Sequence, residues 1–261
     1  RGVRSRLFVK DDVEMQEKIE EEEETNMSQM NMAHAGMAAA QAGVDERLSF
    51  IRRTYVHLFG AILIFALIET LLFSSGVADR LGPSLVGGKG WIVVFVLFIG
   101  ASWFANRWAM SGASPALQYA GLGVFIIAES IIFLPLLYVA VHYGGGVDTI
   151  AAAGSVTVLL CGFVTIFVLL TKKDFSFLGW GLVLCSGAAF GAIVLGMIFG
   201  WQMGGWFSAL MIVLGLGYLL YETSNILYRY RTDQHVAASL ALFSSVMLVF
   251  FYVLRLFLDR R

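Results

Sequence analysis

The sequence predicts an all-α integral membrane protein with seven transmembrane helices. Three observations carry that expectation. Of the 261 residues, 58% are hydrophobic and only 14% charged, against about 25% charged in soluble domains. The mean hydropathy is +0.77, more apolar surface than a soluble chain of this length could cover. From residue 55 onward, long apolar runs alternate with short polar breaks, and a membrane-spanning helix needs about 20 such residues. A soluble enzyme, a nucleic-acid binder and a disordered protein all fit this composition poorly, so no nucleic-acid partner is expected. The expected surroundings are a lipid bilayer.

Residues 1–44 form the first unit. They hold nine acids and five bases, a net of −4, and the run Glu20 to Glu24 repels itself. No apolar periodicity is present, so a disordered acidic tail is expected. No apolar stretch follows the basic start, so it does not read as a signal peptide. Met27 offers an alternative start, which would make the residues before it non-native. Residues 45–261 carry a net of +3 and form the expected seven-helix membrane domain.

Span one covers 55–75 and contains Glu69 toward its outer part, read as a partly wet rim residue. Ser74-Ser75-Gly76 ends it with turn residues. Span two covers 91–110, between Gly87-Gly88 and the break from Gly112 to Pro115. Span three covers 116–142. Its Glu129 lies about 20 Å from the start at 1.5 Å per residue. Pro135 follows and frees the carbonyl near Ile131. A carboxyl beside a broken helix suits an ion or proton site; a protonated glutamate hydrogen-bonded to a neighbouring helix is the plainer alternative.

Span four, 147–171, follows Gly144-Gly145-Gly146. Span five, 176–200, follows the break from Lys172 to Ser176 and carries two small-xxx-small patterns, Gly187 to Gly191 and Gly196 to Gly200, which favour helix packing. Cys161 and Cys185 lie inside these two spans and read as small buried residues, with neither a disulfide nor a zinc site expected. Span six, 204–230, carries Glu222 about 12 Å from its cytoplasmic end. Tyr218, Asn225 and Arg229 stand on the same face of the helix. A structural helix end would explain Arg229 but not Glu222 and Asn225 together. Span seven, 235–257, carries Ser244 and Ser245 in its middle. Hydroxyls there can bond between helices. Arg255 is expected to snorkel to the interface.

Orientation follows from Lys and Arg in the short loops. Arg47, Arg52, Arg53, Arg107, Lys172, Lys173, Arg229 and Arg231 fall on one side; Arg80, Lys89, Arg255, Arg260 and Arg261 fall on the other. This places the N-terminus in the cytoplasm and the C-terminus outside. A six-span alternative with the last segment re-entrant would put both ends inside. No nucleotide-binding, metalloprotease or redox motif is present. The buried serines have no His or Lys positioned to activate them, so no catalysis and no cofactor are expected.

Four stretches, in order, resemble the Bax inhibitor family of seven-span proteins. Ala128-Glu129-Ser130 to Pro135-Leu136-Leu137 resembles span three of its bacterial branch. Thr171-Lys172-Lys173-Asp174-Phe175-Ser176 to Gly179 is similar to its loop between spans four and five. Tyr221-Glu222-Thr223-Ser224 resembles its Tyr-Asp-Thr-Gln signature, and His235 to Phe257 resembles its last helix. The resemblance covers about residues 45–258. It implies a fold whose last helix is central, in a cell inner membrane. It also implies a pH-modulated leak of calcium or another cation. In the family an aspartate on span six and one on span seven share a proton near the cytoplasmic side; two close carboxyls in low dielectric cannot both ionise cheaply.

Here the span-six position is Glu222 and the span-seven position is Ser245, which cannot ionise. The implied ion or proton site is therefore Glu222, Ser245 and, as a substitute acid, Glu129. Tyr218, Asn225, Arg229 and Ser244 would line or support the gate, and Glu222 would be the calcium ligand, an oxygen donor of the kind calcium takes. The resemblance also implies a second reading. Bacterial relatives are linked to a membrane-bound AAA protease through their N-terminal tails, and the acidic tail here suits recognition by such a partner.

Overall fold

The computed structural model describes residues 43–86, 90–110, 114–201 and 203–260, together with Glu22 and Thr25. The expected tail therefore falls almost wholly outside the described residues, as do Gly87-Gly88, Lys89 and Gly112. The architecture is all-helical. In chain order the helices are α1 (Val44–Ser74), α2 (Val77–Val86), α3 (Gly90–Ala109), α4 (Pro115–Tyr143), α5 (Val147–Thr171), α6 (Leu178–Phe199), α7 (Gly205–Tyr228) and α8 (His235–Leu258).

Six of these, α1 and α4 to α8, are long and apolar enough to cross a membrane. The expected second span, 91–110, corresponds to α3, a helix of 20 residues from Gly90 to Ala109, of which Val94–Ala109 is a shorter apolar stretch. The chain is a multi-pass membrane protein.

Two features differ from expectation. Residues 77–86, expected as a loop, form α2. Its Gly82 sits against the ring of Tyr138 on α4, and its Asp79 lies 3.2 Å from His142 Nε2. The break after span one is therefore a packed helix rather than a linker. In addition, α4 is continuous from Pro115 to Tyr143, with Pro135 inside it. The helix does not break at Pro135, because neighbouring helices can hold a proline-containing span together.

Helix ends follow local chemistry. Ser114 caps α4, its hydroxyl accepting from the Leu117 N–H at 3.3 Å, with Pro115 in the first turn. Gly200 ends α6 at φ +69°, a left-handed conformation that glycine adopts without steric cost.

The centre of the fold is α8. It packs against α1, α3, α4, α5 and α7 and is the most buried of the six long helices. Phe243, Leu242, Val249 and Leu254 on it are fully buried. Rings interlock around it: Phe65 meets Phe133 edge-on at 5.1 Å, and Phe133 stacks on Phe250 at 5.5 Å. Such ring pairs add about 0.5–1.5 kcal/mol beyond burial. Small residues allow the closest approaches. A Cβ on Gly121 of α4 would meet the Ala105 carbonyl oxygen of α3 at 2.7 Å. A Cβ on Gly215 of α7 would meet Val249 of α8 at 2.8 Å.

The peripheral helix is α6, packed chiefly on α7. It therefore turns Trp180, Leu184 and Cys185 outward. Of the two cysteines expected to be buried, only Cys161 is. Cys185 is exposed because an outer helix offers only one face to the bundle.

Candidate functional site

The end of the bundle that carries Lys172, Lys173, Arg229 and Arg231 is where the sequence places Glu222. The carboxyl is half-buried. Its Oε2 accepts from Asn225 Nδ2 at 3.4 Å and from the Tyr230 hydroxyl at 3.2 Å. Asn225 stands one turn along α7, so helical spacing alone delivers it. Tyr230 lies beyond the end of α7, where the chain turns toward α8. The residue after next in the same signature, Ser224, is fully buried. Its hydroxyl accepts from the Phe175 N–H at 2.8 Å and lies 3.5 Å from Asp174 Oδ1. Tyr228 donates to the Lys172 carbonyl, and Arg229 Nη2 donates to Ser176 Oγ at 2.7 Å. Two segments about fifty residues apart in sequence, the α5–α6 loop and the end of α7, are thus bonded together as one latch.

Asp174 is held in its charged form. The Ser176 hydroxyl and then the Ser176 N–H donate to it, and the Arg229 guanidinium and Ser224 hydroxyl add to that, so its carboxyl sits below the usual carboxylate range. A depressed folded value means that the contribution is complete above the unfolded value, about 3.9, and is lost as pH falls through the lowered one. Hydrogen exchange at Phe175 and Ser176, corrected for intrinsic rates, should therefore stay constant down to about pH 4 and accelerate below it. In Asp174→Asn most of that pH dependence should disappear; an unchanged profile would dissociate Asp174 from the latch.

The polar stripe expected on α7 divides among different partners. The Tyr218 hydroxyl pairs with Ser186 on α6 at 2.8 Å, Glu222 accepts from both Asn225 and Tyr230, and Arg229 reaches the loop. On α8, Ser245 is buried and donates to the Ala241 carbonyl of its own helix at 3.0 Å. It makes no hydrogen bond to Glu222. Ser244 points elsewhere, into a cavity of about 520 Å³ that it shares with Glu129, Pro135, Arg255 and Asp259. Glu129 is 5% exposed. Its polar companions in the cavity are thus Ser244, Arg255 and Asp259, not Glu222. Arg255 does not simply snorkel outward: it lines that cavity, and its Nη2 donates to the Met203 carbonyl before α7 at 2.8 Å. A carbonyl left free ahead of a helix start offers a nearer partner than the interface.

Two further features lay beyond the sequence reading. Glu69, expected as a wet rim residue, is 7% exposed, and neither of its carboxyl oxygens has a hydrogen-bond partner. It lines a second cavity, of about 800 Å³. His57 and His235 bracket Tyr119: His57 Nε2 lies 2.9 Å and His235 Nε2 3.4 Å from the Tyr119 hydroxyl. The cluster joins α1, α4 and α8 at their cytoplasm-assigned ends. A polar residue near each of three helix starts was the available signal, but only packing brings them together. Among the described residues no three of His, Cys, Asp and Glu converge as a metal site.

Comparison with known proteins places this arrangement. The family model described as "Inhibitor of apoptosis-promoting Bax1" matches residues 47–261. The chain is 24% identical to Protein LIFEGUARD 4 of Arabidopsis thaliana over 224 residues, covering 81% of this chain and 85% of that one. It is 28% identical to Modulator of FtsH protease YccA of Escherichia coli over 193 residues, covering 71% of this chain and 83% of that protein. The match takes in every described helix except the first turn of α1, including the latch and both acid-lined cavities, and the chain belongs to the Bax inhibitor family.

Proposed function

We propose that this protein modulates a membrane-bound, ATP-dependent protease of the FtsH kind from the inner membrane. The observation that supports this reading is the similarity to the Escherichia coli protein named for that activity, over 83% of its length. The acidic segment 1–44 would be the element that the protease grips. It leads directly into α1, which begins at Val44 and runs unbroken to Ser74, so a pull on the tail acts on the membrane body through α1. The excess of Lys and Arg at the α5–α6 and α7–α8 turns supports a cytoplasmic N-terminus, on the side where ATP is available.

The test is the decay of a membrane-protein substrate of such a protease in inverted membrane vesicles. The full chain is expected to slow the decay, and a chain lacking residues 1–44 is expected to leave it unchanged. Equal decay with the full chain and with none would sink the reading.

A second reading is a slow leak of calcium or another cation, with the ion as cargo. It is favoured by the cavity that Glu129 and Ser244 both line among membrane-spanning helices. Glu222, with Asn225 and Tyr230 beside it, would be the acid at the cytoplasmic gate, and its carboxylate is the hard donor that calcium takes. Flux into proteoliposomes separates the two. A leak should persist without residues 1–44 and fall in both Glu129→Gln and Glu222→Gln. Flux that neither substitution changes would remove this reading.

A further inference from the structure

The cluster of His57 on α1, Tyr119 on α4 and His235 on α8 lines neither cavity and takes no part in the latch. His57 Nδ1 lies 2.7 Å from the Arg53 carbonyl oxygen, one turn back on α1. A carbonyl only accepts, so Nδ1 holds the hydrogen, and Nε2 of the neutral ring turns a lone pair toward Tyr119. His235 turns its own Nε2 toward the same phenol oxygen. Two imidazole nitrogens and one phenol oxygen, from three helices, thus converge. Both contacts are exposed and Tyr119 is 44% exposed, so an ion and a water molecule can reach them from the cytoplasm-assigned side.

The spacing is that of a tetrahedral metal site. Donors held about 2.0–2.1 Å from one zinc ion stand roughly 3.3 Å apart, and two imidazoles on it have ring centres roughly 5 Å apart. Here the nitrogens lie 2.9 and 3.4 Å from the phenol oxygen, and the imidazole centres are 5.1 Å apart. The outer ring nitrogens fit as well. A metal-bound histidine donates its other N–H to a carbonyl or a carboxylate. His57 already does so to Arg53. On His235 a metal at Nε2 puts the ring hydrogen on Nδ1, which is buried and without a partner, as is Oδ1 of Asp233 two residues earlier. Asp233 acts on the His235 ring electrostatically.

Among the described residues no third His, Cys, Asp or Glu joins the pair, so the third donor is the phenol and the fourth is water. The opposing charge is modest. Arg53 is exposed to water, and the positive end of α8 lowers the affinity for a cation only a few-fold. Micromolar binding is therefore expected, weaker than that of a four-ligand structural zinc site.

We propose that His57, Tyr119 and His235 bind one Zn²⁺ ion, tying the central helix α8 to α1 and α4 at the cytoplasm-assigned end of the bundle. The ion takes the lone pairs of both Nε2 atoms and replaces the phenol hydrogen, which leaves to water. The site stands whichever reading of the cellular function holds.

The test uses the full chain in phosphatidylcholine nanodiscs, without a polyhistidine tag. Calorimetry should show a saturable site for one Zn²⁺ per chain with a Kd of about 10 μM or tighter, and Zn²⁺ should raise the melting temperature. Co²⁺ titrated in its place should give the intense visible absorption of a tetrahedral site, a readout that needs no variant. His57→Ala and His235→Ala should each weaken Zn²⁺ binding at least about tenfold. His34→Ala and His142→Ala, at the two remaining histidines, should leave it unchanged. Tyr119→Phe should weaken it less and alter the Co²⁺ spectrum. Weaker binding by the unaltered chain, Zn²⁺ binding that survives both His57→Ala and His235→Ala, or the faint absorption of octahedral Co²⁺ would each overturn the proposal.

Discussion

Replacing Gly121 by leucine is expected to force α3 away from α4 and to cost about 3 kcal/mol or more. A Cβ at this position would lie 2.7 Å from the Ala105 carbonyl oxygen and 2.9 Å from the Ala109 nitrogen. Both are backbone atoms of a helix and cannot rotate aside, so the two helices must separate. The cost is not offset by helix propensity, which favours leucine over glycine by only about 1 kcal/mol. Gly123, two residues along the same helix, has nothing within 4 Å of its added Cβ. Gly123→Leu should therefore be no less stable than the parent, with a gain of up to about 1 kcal/mol from helix propensity. Thermal unfolding in detergent measures both. Equal shifts would show that α3 and α4 are not in contact at Gly121.

The second large effect is expected at Ser224, where valine should cost about 1–3 kcal/mol. The substitution puts two methyl groups in place of one hydroxyl at a fully buried position and removes the acceptor of the Phe175 N–H, leaving that donor without a partner. The 172–177 loop should then detach from α7, with hydrogen exchange at Phe175 rising along with the fall in melting temperature. Asp174→Ala should cost much less, because Asp174 is exposed and its Ser176 donor can turn to water. If Ser224→Val leaves Phe175 protected, the loop is held by Tyr228 and Arg229 alone.

The latch accounts for two of the family-like stretches at once. Thr171 to Gly179 and Tyr221 to Ser224 stand far apart in the chain yet bond to each other through Ser224 and Asp174. Their resemblance to a family was readable residue by residue. That they form one structure was not, since neither stretch indicates its partner.

The acids show the same division. The sequence located Glu69, Glu129 and Glu222 within helices, because an ionisable residue stands out in an apolar run. Depth along a helix, however, does not give the side of the helix. Glu69 lies toward an end of α1, which suggested a wet rim, but the side chain is buried. Glu129 and Glu222 could not be paired or separated from sequence. The fold gives one to a cavity with Ser244 and the other to Tyr230.

The sequence by itself determined the membrane character, the helical spans from α3 to α8 to within about two residues at either end, and the family. These follow from local quantities: twenty-residue apolar runs, glycine and proline at the breaks, and short ordered motifs. Only the tertiary structure decided that 77–86 is a helix, that α4 runs on through Pro135, that Cys185 faces outward, and which cavity each buried acid lines. Those facts depend on which faces of neighbouring helices meet. In a chain whose spans are apolar all round, hydrophobic periodicity does not mark the inward face; close packing at residues such as Gly121 and Gly215 sets it.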